Sequence, residues 1–117
     1  MATRALVAAS TKPLILSILT HGENYGYRII QEIERLSAGE LQWTDAMLYP
    51  VLKRMEKEGL VASQWSQIDG GRKRKYYRIT PDGTTELARE RRQWLNVNQV
   101  FLTLWGEGGY QAAIDEI

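Results

Sequence analysis

Three stretches with helical periodicity, each closed by a glycine, occupy the first sixty residues and constrain the fold more than any other feature. In the second and third stretches apolar residues recur at intervals of three, four and seven, which places them on one face of an α-helix. Gly22, Gly39 and Gly59 follow the stretches, where a left-handed residue commonly ends a helix. The sequence therefore predicts helices over about 11–21, 25–38 and 44–58.

The starts of these helices are marked by polar capping residues and by one proline. Asn24 and Thr44 precede the second and third helices, and both residue types commonly cap a helix N-terminus. Pro13 fits the first turn of a helix that starts there, and it equally fits a kink in a helix that begins earlier. The start of the first helix is open between these two alternatives.

After Gly59 the pattern changes from helical to extended. Residues 61–66 and 75–79 are short runs in which β-branched or aromatic side chains roughly alternate with others, and 69–71 (Asp-Gly-Gly) lies between them as a turn signal. Such a pair of runs predicts an antiparallel hairpin with a long tip. Trp65 is in step with Val61 and Ser63, and we expect it to pack within this hairpin.

A last helix is predicted to follow the hairpin. Residues 80–82 (Thr-Pro-Asp) supply a capping hydroxyl, a first-turn proline and an acid that favours the helix dipole. The helix can run to about Trp105, where the glycines at 106, 108 and 109 are expected to break it. The predicted fold class is mainly α with a small β-hairpin: a winged helix-turn-helix over 1–80, followed over 81–117 by one long helix and a short tail.

Positive charge is concentrated in one part of the chain. The whole chain has 15 Lys and Arg against 14 Asp and Glu, a net charge of +1. Residues 53–78 hold eight cations and three anions, a net charge of +5, so the remainder carries −4. Such segregation is typical of a surface that binds a polyanion.

Residues for enzyme or metal chemistry are scarce. Cysteine is absent and His21 is the only histidine, which excludes disulfides, zinc–cysteine sites and multi-histidine metal sites. Glycine-rich phosphate loops and clustered carboxylates are also absent, so we expect no enzymatic activity, no cofactor and no metal. The longest apolar run is too short to span a bilayer and no signal peptide pattern is present, so we expect a cytoplasmic protein with no membrane partner.

The third predicted helix has an outward face suited to a DNA major groove. Because the stripe from Leu48 to Met55 must face the core, the opposite face carries small, aromatic and cationic residues, and the hairpin adds further cations. The predicted DNA-binding residues are Thr44, Ala46, Tyr49, Pro50, Lys53, Lys57, Arg72, Lys73, Arg74 and Lys75. Lysine can reach phosphates or guanine, and tyrosine can contact a phosphate or a thymine methyl group. Taken alone, the helix face is equally compatible with a solvated surface; the basic hairpin that follows favours DNA.

The last predicted helix carries more apolar surface than one small core can cover. Its apolar residues, which take up about half of its circumference, are Leu87, Trp94, Leu95, Val97, Phe101, Leu102, Leu104 and Trp105. An exposed patch of that size favours pairing with a second chain. We therefore expect a homodimer, and its two-fold symmetry requires a pseudo-palindromic operator.

Three stretches resemble the PadR-type transcriptional regulators: LTHGENYGYRIIQEI (19–33), LYPVLKRMEKEGLV (48–61) and GGRKRKYYRITPDG (70–83). The C-terminal region is short and consists of one helix. In this it is similar to the compact branch of the family, which includes multidrug-binding regulators. The resemblance implies a homodimeric transcriptional repressor that binds double-stranded DNA. Its third helix would enter the major groove, and its wing would touch the DNA backbone or the minor groove. Where the family often has a proline in the wing, this chain has Lys73, which adds a charge and loosens the tip.

The resemblance also implies an effector site on the last helix. In the multidrug-binding members a tryptophan on this helix stacks planar ligands at the dimer centre, and Trp94 falls on the matching position. Val97, Phe101 and Trp105 can line the same pocket. Two interpretations stay open: these residues bind a small planar aromatic or lipophilic effector, or they only pack in the dimer interface.

A different class of function is also compatible with the predicted fold. Winged helices serve in assemblies that never touch DNA, so the alternative is a winged-helix protein–protein interaction module. Such a module has no need for the +5 cluster over 53–78, and the charge therefore favours the DNA-binding regulator.

Overall fold

A computed structural model describes residues 2–67 and 71–115 of the chain. The elements, in chain order, are α1 (Arg4–Leu19), β1 (Asn24–Tyr25), α2 (Gly26–Leu36), α3 (Asp45–Lys57), β2 (Val61–Gln67), β3 (Lys73–Ile79) and α4 (Pro81–Asp115). The predicted fold class is confirmed, since the fold is mainly helical with a small sheet and ends in one long helix. The chain divides into two compact units, Met1–Leu87 and Ala88–Ile117.

The first helix begins well before the predicted residue 11. The hydroxyl of Thr3 caps it by accepting a hydrogen bond from the backbone N–H of Leu6 at 3.2 Å. Pro13 lies inside the helix, and α1 continues through it to Leu19. The range 11–21 was therefore wrong at its start, and the alternative of an earlier start is confirmed. A proline removes one backbone hydrogen bond, which a sixteen-residue helix with several buried side chains tolerates.

The core of the first unit lies between the three helices and the sheet. The fully buried side chains are Ile15, Leu16, Ile29, Leu48, Leu52, Met55 and Val61. The stripe predicted for α3 thus faces the core, and each such side chain contributes about 1.5–3 kcal/mol by its burial. Leu36, the last residue of α2, is exposed.

Asn24 does not cap α2, contrary to the sequence prediction. It lies in β1, where Asn24 and Tyr25 pair with Tyr77 and Tyr76 of β3, and Tyr25 occupies the cap position without a side-chain hydrogen bond. The sheet therefore has three antiparallel strands in the order β1-β3-β2. The reason is tertiary: pairing with β3 satisfies the backbone groups of residues that would otherwise only precede a helix.

The hairpin has the predicted antiparallel pairing. Val61 lies opposite Ile79 at its base and Gln67 lies opposite Lys73 near its tip, so β3 begins two residues earlier than expected. Of the predicted turn over 69–71, Asp69 and Gly70 lie outside the described residues, and Gly71 has a φ of 77°. A positive φ at this position is one that glycine adopts without strain.

The start of α4 is fixed against the rest of the first unit. Thr80 caps it as predicted, its Oγ1 accepting a hydrogen bond from the N–H of Gly83 at 3.0 Å. A Cβ atom on Gly83 would overlap the backbone oxygen of Leu60, so only glycine permits this close approach. Lys12 of α1 reaches Glu86 in the next turn, with Nζ and Oε2 2.7 Å apart.

The second unit consists of the rest of α4. Gly106 breaks the helix as predicted, with a φ of 73° and a ψ of 171°. The helix then resumes to Asp115, so the expectation that the glycines at 108 and 109 also end it was wrong. A glycine inside a helix costs only about 1 kcal/mol relative to alanine, and the following 110–114 offers no further breaker. No helix in the described part of the chain has the length and apolar character of a membrane span.

Candidate nucleic-acid interface

The outward face of α3 carries the side chains predicted for DNA contact. Thr44 caps the helix, with its Oγ1 accepting from the N–H of Met47 at 3.3 Å. The exposed residues of the predicted set on this helix are Ala46, Tyr49, Pro50, Lys53 and Lys57. Since the opposite side of α3 fills the core, this face is the one that the fold leaves for a partner.

Tyr49 is held by the start of α2. Its ring lies against Gly26, where a Cβ atom would be 2.5 Å from the Tyr49 Oη and 2.7 Å from its Cζ. Burial, and then the charge of Asp45, raises the pKa of Tyr49 above its usual 10.0. The hydroxyl is therefore protonated at neutral pH and can donate a hydrogen bond from a position that Gly26 makes possible.

A groove of about 870 Å³ lies between α3, the start of α2 and the hairpin. Tyr27, Tyr49 and Lys53 line its helical walls. The hairpin, called the wing from here on, contributes Trp65 and the cations at 72–75. Five cations and one carboxylate, Glu56, line the groove, which gives it a net charge of +4. Such a groove attracts an anionic polymer from solution.

The cations predicted on the wing have different surroundings. Arg72 and Lys73 are exposed. Arg74 is half-buried, with its guanidinium carbon 4.3 Å from the ring centroid of Tyr25, and that ring meets Tyr76 edge-on at 5.4 Å. Arg74 thus also holds β1 against β3, whereas Arg72 and Lys73 project into solvent where phosphates can reach them.

Glu56 joins α3 to both long strands of the wing. Its carboxylate accepts a hydrogen bond from the hydroxyl of Ser63 on β2 and lies 3.5 Å from the Nζ of Lys75 on β3. The bond from Ser63 and then the charge of Lys75 hold the pKa of Glu56 below its usual 4.5, although burial opposes them. Lys75 therefore serves in part to fix the wing against α3.

Trp65 is exposed, contrary to the expectation that it packs within the hairpin. Its side chain is 62% exposed and lines the groove. The alternation correctly predicts that Trp65 lies on the same face of β2 as Val61 and Ser63. On this face Trp65 pairs with Lys75, and Ser63 pairs with Tyr77. The core ends at Tyr77 and Val61. Where the core ends depends on tertiary packing, so the alternation of side chains along a strand cannot predict it.

The residues predicted for an effector site lie together on α4 in the second unit. Trp94, Val97, Phe101 and Trp105 are all exposed in the single chain. Their spacing of three and four residues places them on one helix face. The rings of Phe101 and Trp105 are stacked, with their centroids 4.9 Å apart and their planes 13° apart.

Three helices, a wing and a basic groove between them define a winged helix-turn-helix of the class that binds DNA. Comparison with known proteins gives the family. The model of the Transcriptional regulator PadR-like family matches residues 15–89, so the chain belongs to the PadR-like family. Its members are transcriptional regulators, not enzymes; they bind DNA and typically act as dimers.

Two relatives and one solved structure are similar to most of the chain. An uncharacterised protein of Lysinibacillus sphaericus is 35% identical over 81% of this chain and 86% of its own length. A transcriptional regulator of Mycobacterium tuberculosis is 34% identical over 76% of this chain and 79% of its own. The solved structure of a transcriptional regulator from Clostridium thermocellum superposes with a TM-score of 0.80 at 26% identity, covering 88% of this chain and 97% of that one.

The contact between Gly26 and Tyr49 can be tested by a double-mutant cycle. Gly26→Ala should destabilise the protein by about 1 kcal/mol, the low end for an added methyl group, because it overlaps the ring of Tyr49 but that ring is partly exposed and can shift. In a Tyr49→Ala background the same change should cost almost nothing, because the ring is gone. Urea unfolding of the wild type, both single variants and the double variant gives the interaction energy. Costs that simply add would show that the two residues do not touch.

The link made by Glu56 should be sensitive to acid. Because its pKa in the folded state lies below the unfolded value, the stabilisation is complete above about pH 4.5 and is lost as the pH falls through the folded pKa. Glu56→Gln should therefore be less stable than the wild type at pH 7, and the difference should shrink below about pH 4.

Urea unfolding at pH 7 and at about pH 3.5 measures that difference. Glu58→Gln is the matched control, because Glu58 is exposed and its ion pair is a long one, 3.9 Å from Arg54 on the helix surface. It should change stability by about 0–0.5 kcal/mol. A stability gap for Glu56→Gln that stays the same at both pH values would exclude the charged link.

Proposed function

We propose that this chain is a sequence-specific, homodimeric repressor of transcription that binds a pseudo-palindromic DNA operator. The observation that carries the proposal is the groove, which brings the outward face of α3 and the cations of the wing onto one side of the first unit. Base edges and phosphates are the two things a DNA-binding protein must contact, and the groove offers groups for both. As such a regulator it acts in the cytoplasm, where the chromosome is.

In this function α3 is the recognition helix and lies in the major groove. Ala46 and Pro50 leave room for base edges, while Tyr49 and Lys53 can reach a phosphate, a thymine methyl group or guanine. Thr44 lies at the N-terminus of the helix, and Lys57 at its other end approaches a neighbouring phosphate. Direct base contacts from this helix give the sequence preference.

The wing supplies contacts to the DNA backbone. Arg72 and Lys73 are exposed and line the groove, so they contact phosphates. Arg74 and Lys75 add positive potential, but each also has a partner within the protein, Tyr25 and Glu56 respectively. We therefore assign to Arg72 and Lys73 the larger share of the wing's affinity for DNA.

Dimerisation is proposed to occur through α4, whose exposed apolar residues need cover. Leu95, Val100 and Leu104 are each more than half exposed in the single chain, in addition to the face that carries Trp94. A two-fold dimer places its recognition helices about one or two helical turns apart, roughly 34 Å per turn, on the two half-sites of the operator. A protein-interaction module without DNA binding is the weaker alternative, because it would leave the groove charge of +4 without a purpose.

We also propose that a small planar aromatic or lipophilic compound releases the repressor, as in the compact, multidrug-binding branch of the family. Trp94 and the stacked pair of Phe101 and Trp105 present indole and phenyl rings on one helix face, and such rings hold flat compounds without specific hydrogen bonds. A ligand there changes DNA affinity only if it prefers one spacing of the two recognition helices.

Binding to DNA should depend steeply on salt. If Lys53, Lys57, Arg72 and Lys73 each neutralise one phosphate, a dimer makes about 8 contacts, and log K should fall with log salt at a slope of about −7. Arg72→Ala/Lys73→Ala should reduce the slope to about −4 and weaken binding to operator and random DNA alike. Fluorescence anisotropy of a labelled duplex between about 50 and 200 mM salt measures both.

The matched control is Arg35→Ala, which removes a cation at the end of α2 that does not line the groove. It should leave the slope unchanged. Replacement of Tyr49 should instead reduce the preference for operator over random DNA. A wild-type affinity that does not respond to salt would contradict the assigned role of the wing.

Effector binding should depend on Trp94. A planar cationic dye should quench the tryptophan fluorescence of the wild type and lower its operator affinity by about 5- to 150-fold, a usual range for allosteric coupling. Trp94→Ala should lose both effects while it stays dimeric and binds DNA, and Gln93→Ala, on an adjacent face, should keep both. Equal dye affinity in wild type and Trp94→Ala would remove Trp94 from the site.

A further inference from the structure

The wing face that carries Trp65 changes character along its length. At the base Val61 and Tyr77 are buried in the core. Further along, Ser63 and Lys75 are held by Glu56. Trp65 is the next residue after Ser63 on this face of β2 and lies directly opposite Lys75 on the neighbouring strand. Because Glu56 fixes the strands just before it, the indole is exposed but held on a positioned strand rather than on a loose loop.

The surroundings of Trp65 are cationic. Lys53 on α3 and Lys73 on β3 line the same groove, and Lys73 lies on the same face of the wing, two residues along the strand from the Lys75 that Trp65 faces. An exposed indole among lysines has little to pack on within the single chain. Its apolar surface and the positive charges beside it together fit a partner that alternates apolar faces with anionic groups. A DNA strand has this composition, because apolar deoxyribose faces lie between successive phosphates.

We propose that Trp65 packs against the deoxyribose–phosphate backbone of the bound DNA and provides an apolar contact between the phosphates held by the wing cations. This inference rests on the DNA-binding function proposed above and adds a residue to it. The contact is an aromatic one that excludes water, so its contribution does not come from the release of counterions. It should therefore be independent of salt, unlike that of Lys73.

The test compares Trp65→Ala with the wild type on a random-sequence duplex of about three helical turns. Trp65→Ala should weaken binding about 10- to 100-fold, as is usual for a buried tryptophan at an interface, by the same factor at every salt concentration. Trp65→Phe should recover most of the affinity. Gln64→Ala is the matched control, since it is one position away and lies on the opposite face of β2; it should bind like the wild type.

Fluorescence gives an independent measurement on the same protein. Binding of the duplex should shift the tryptophan emission of the wild type to shorter wavelength, because the indole leaves water. The shift should be absent in Trp65→Phe and retained in Trp94→Phe. If the wild type binds neither random nor operator DNA at low salt, the DNA-binding function itself is refuted. If the wild type binds and Trp65→Ala binds equally well, or if its loss changes the salt slope, the assignment of Trp65 is wrong while the function stands.

Discussion

Glu56 connects the two parts of the proposed DNA-binding surface, because its carboxylate ties α3 to both long strands of the wing. It lies on α3, accepts a hydrogen bond from Ser63 on β2 and pairs with Lys75 on β3. A two-stranded ribbon that extends past the core would otherwise be marginally stable. With Glu56 in place, the wing is fixed against α3 at Ser63 and Lys75, and in the proposed function this part of the surface is ordered before DNA binds.

In the proposed function, the cations that contact DNA differ from the cations that hold the structure together. Lys75 is held by Glu56 and Arg74 stacks on Tyr25, while Arg72 and Lys73 are exposed beside them. A run of four consecutive cations in the sequence thus becomes two different pairs in the structure. The cause is position along the wing: Arg74 and Lys75 lie at the level of Tyr25 and Glu56, on opposite faces of β3, whereas Arg72 and Lys73 lie nearer the tip.

The helices were largely predictable because their signals are local. Periodicity placed Leu48 and Leu52 in the core, and Thr44 and Thr80 were identified as caps from residue type alone. The positively charged surface was also predictable, since charge segregation over 53–78 is visible without a structure. The class of the proposed site and the exposed face of α3 could therefore be derived from the sequence.

What could not be predicted depends on contacts between distant residues. The strand β1 exists because two residues pair with β3, more than fifty positions away, and no local pattern marks it. Tyr49 lies against Gly26 and Trp65 lies beyond the end of the core for the same kind of reason.

Chemical-shift changes of the backbone amides on adding duplex DNA test most directly whether α3 and the wing act as one surface. The largest changes should fall together on 46–57, 63–66 and 72–75; changes confined to α1 and α4 would contradict it.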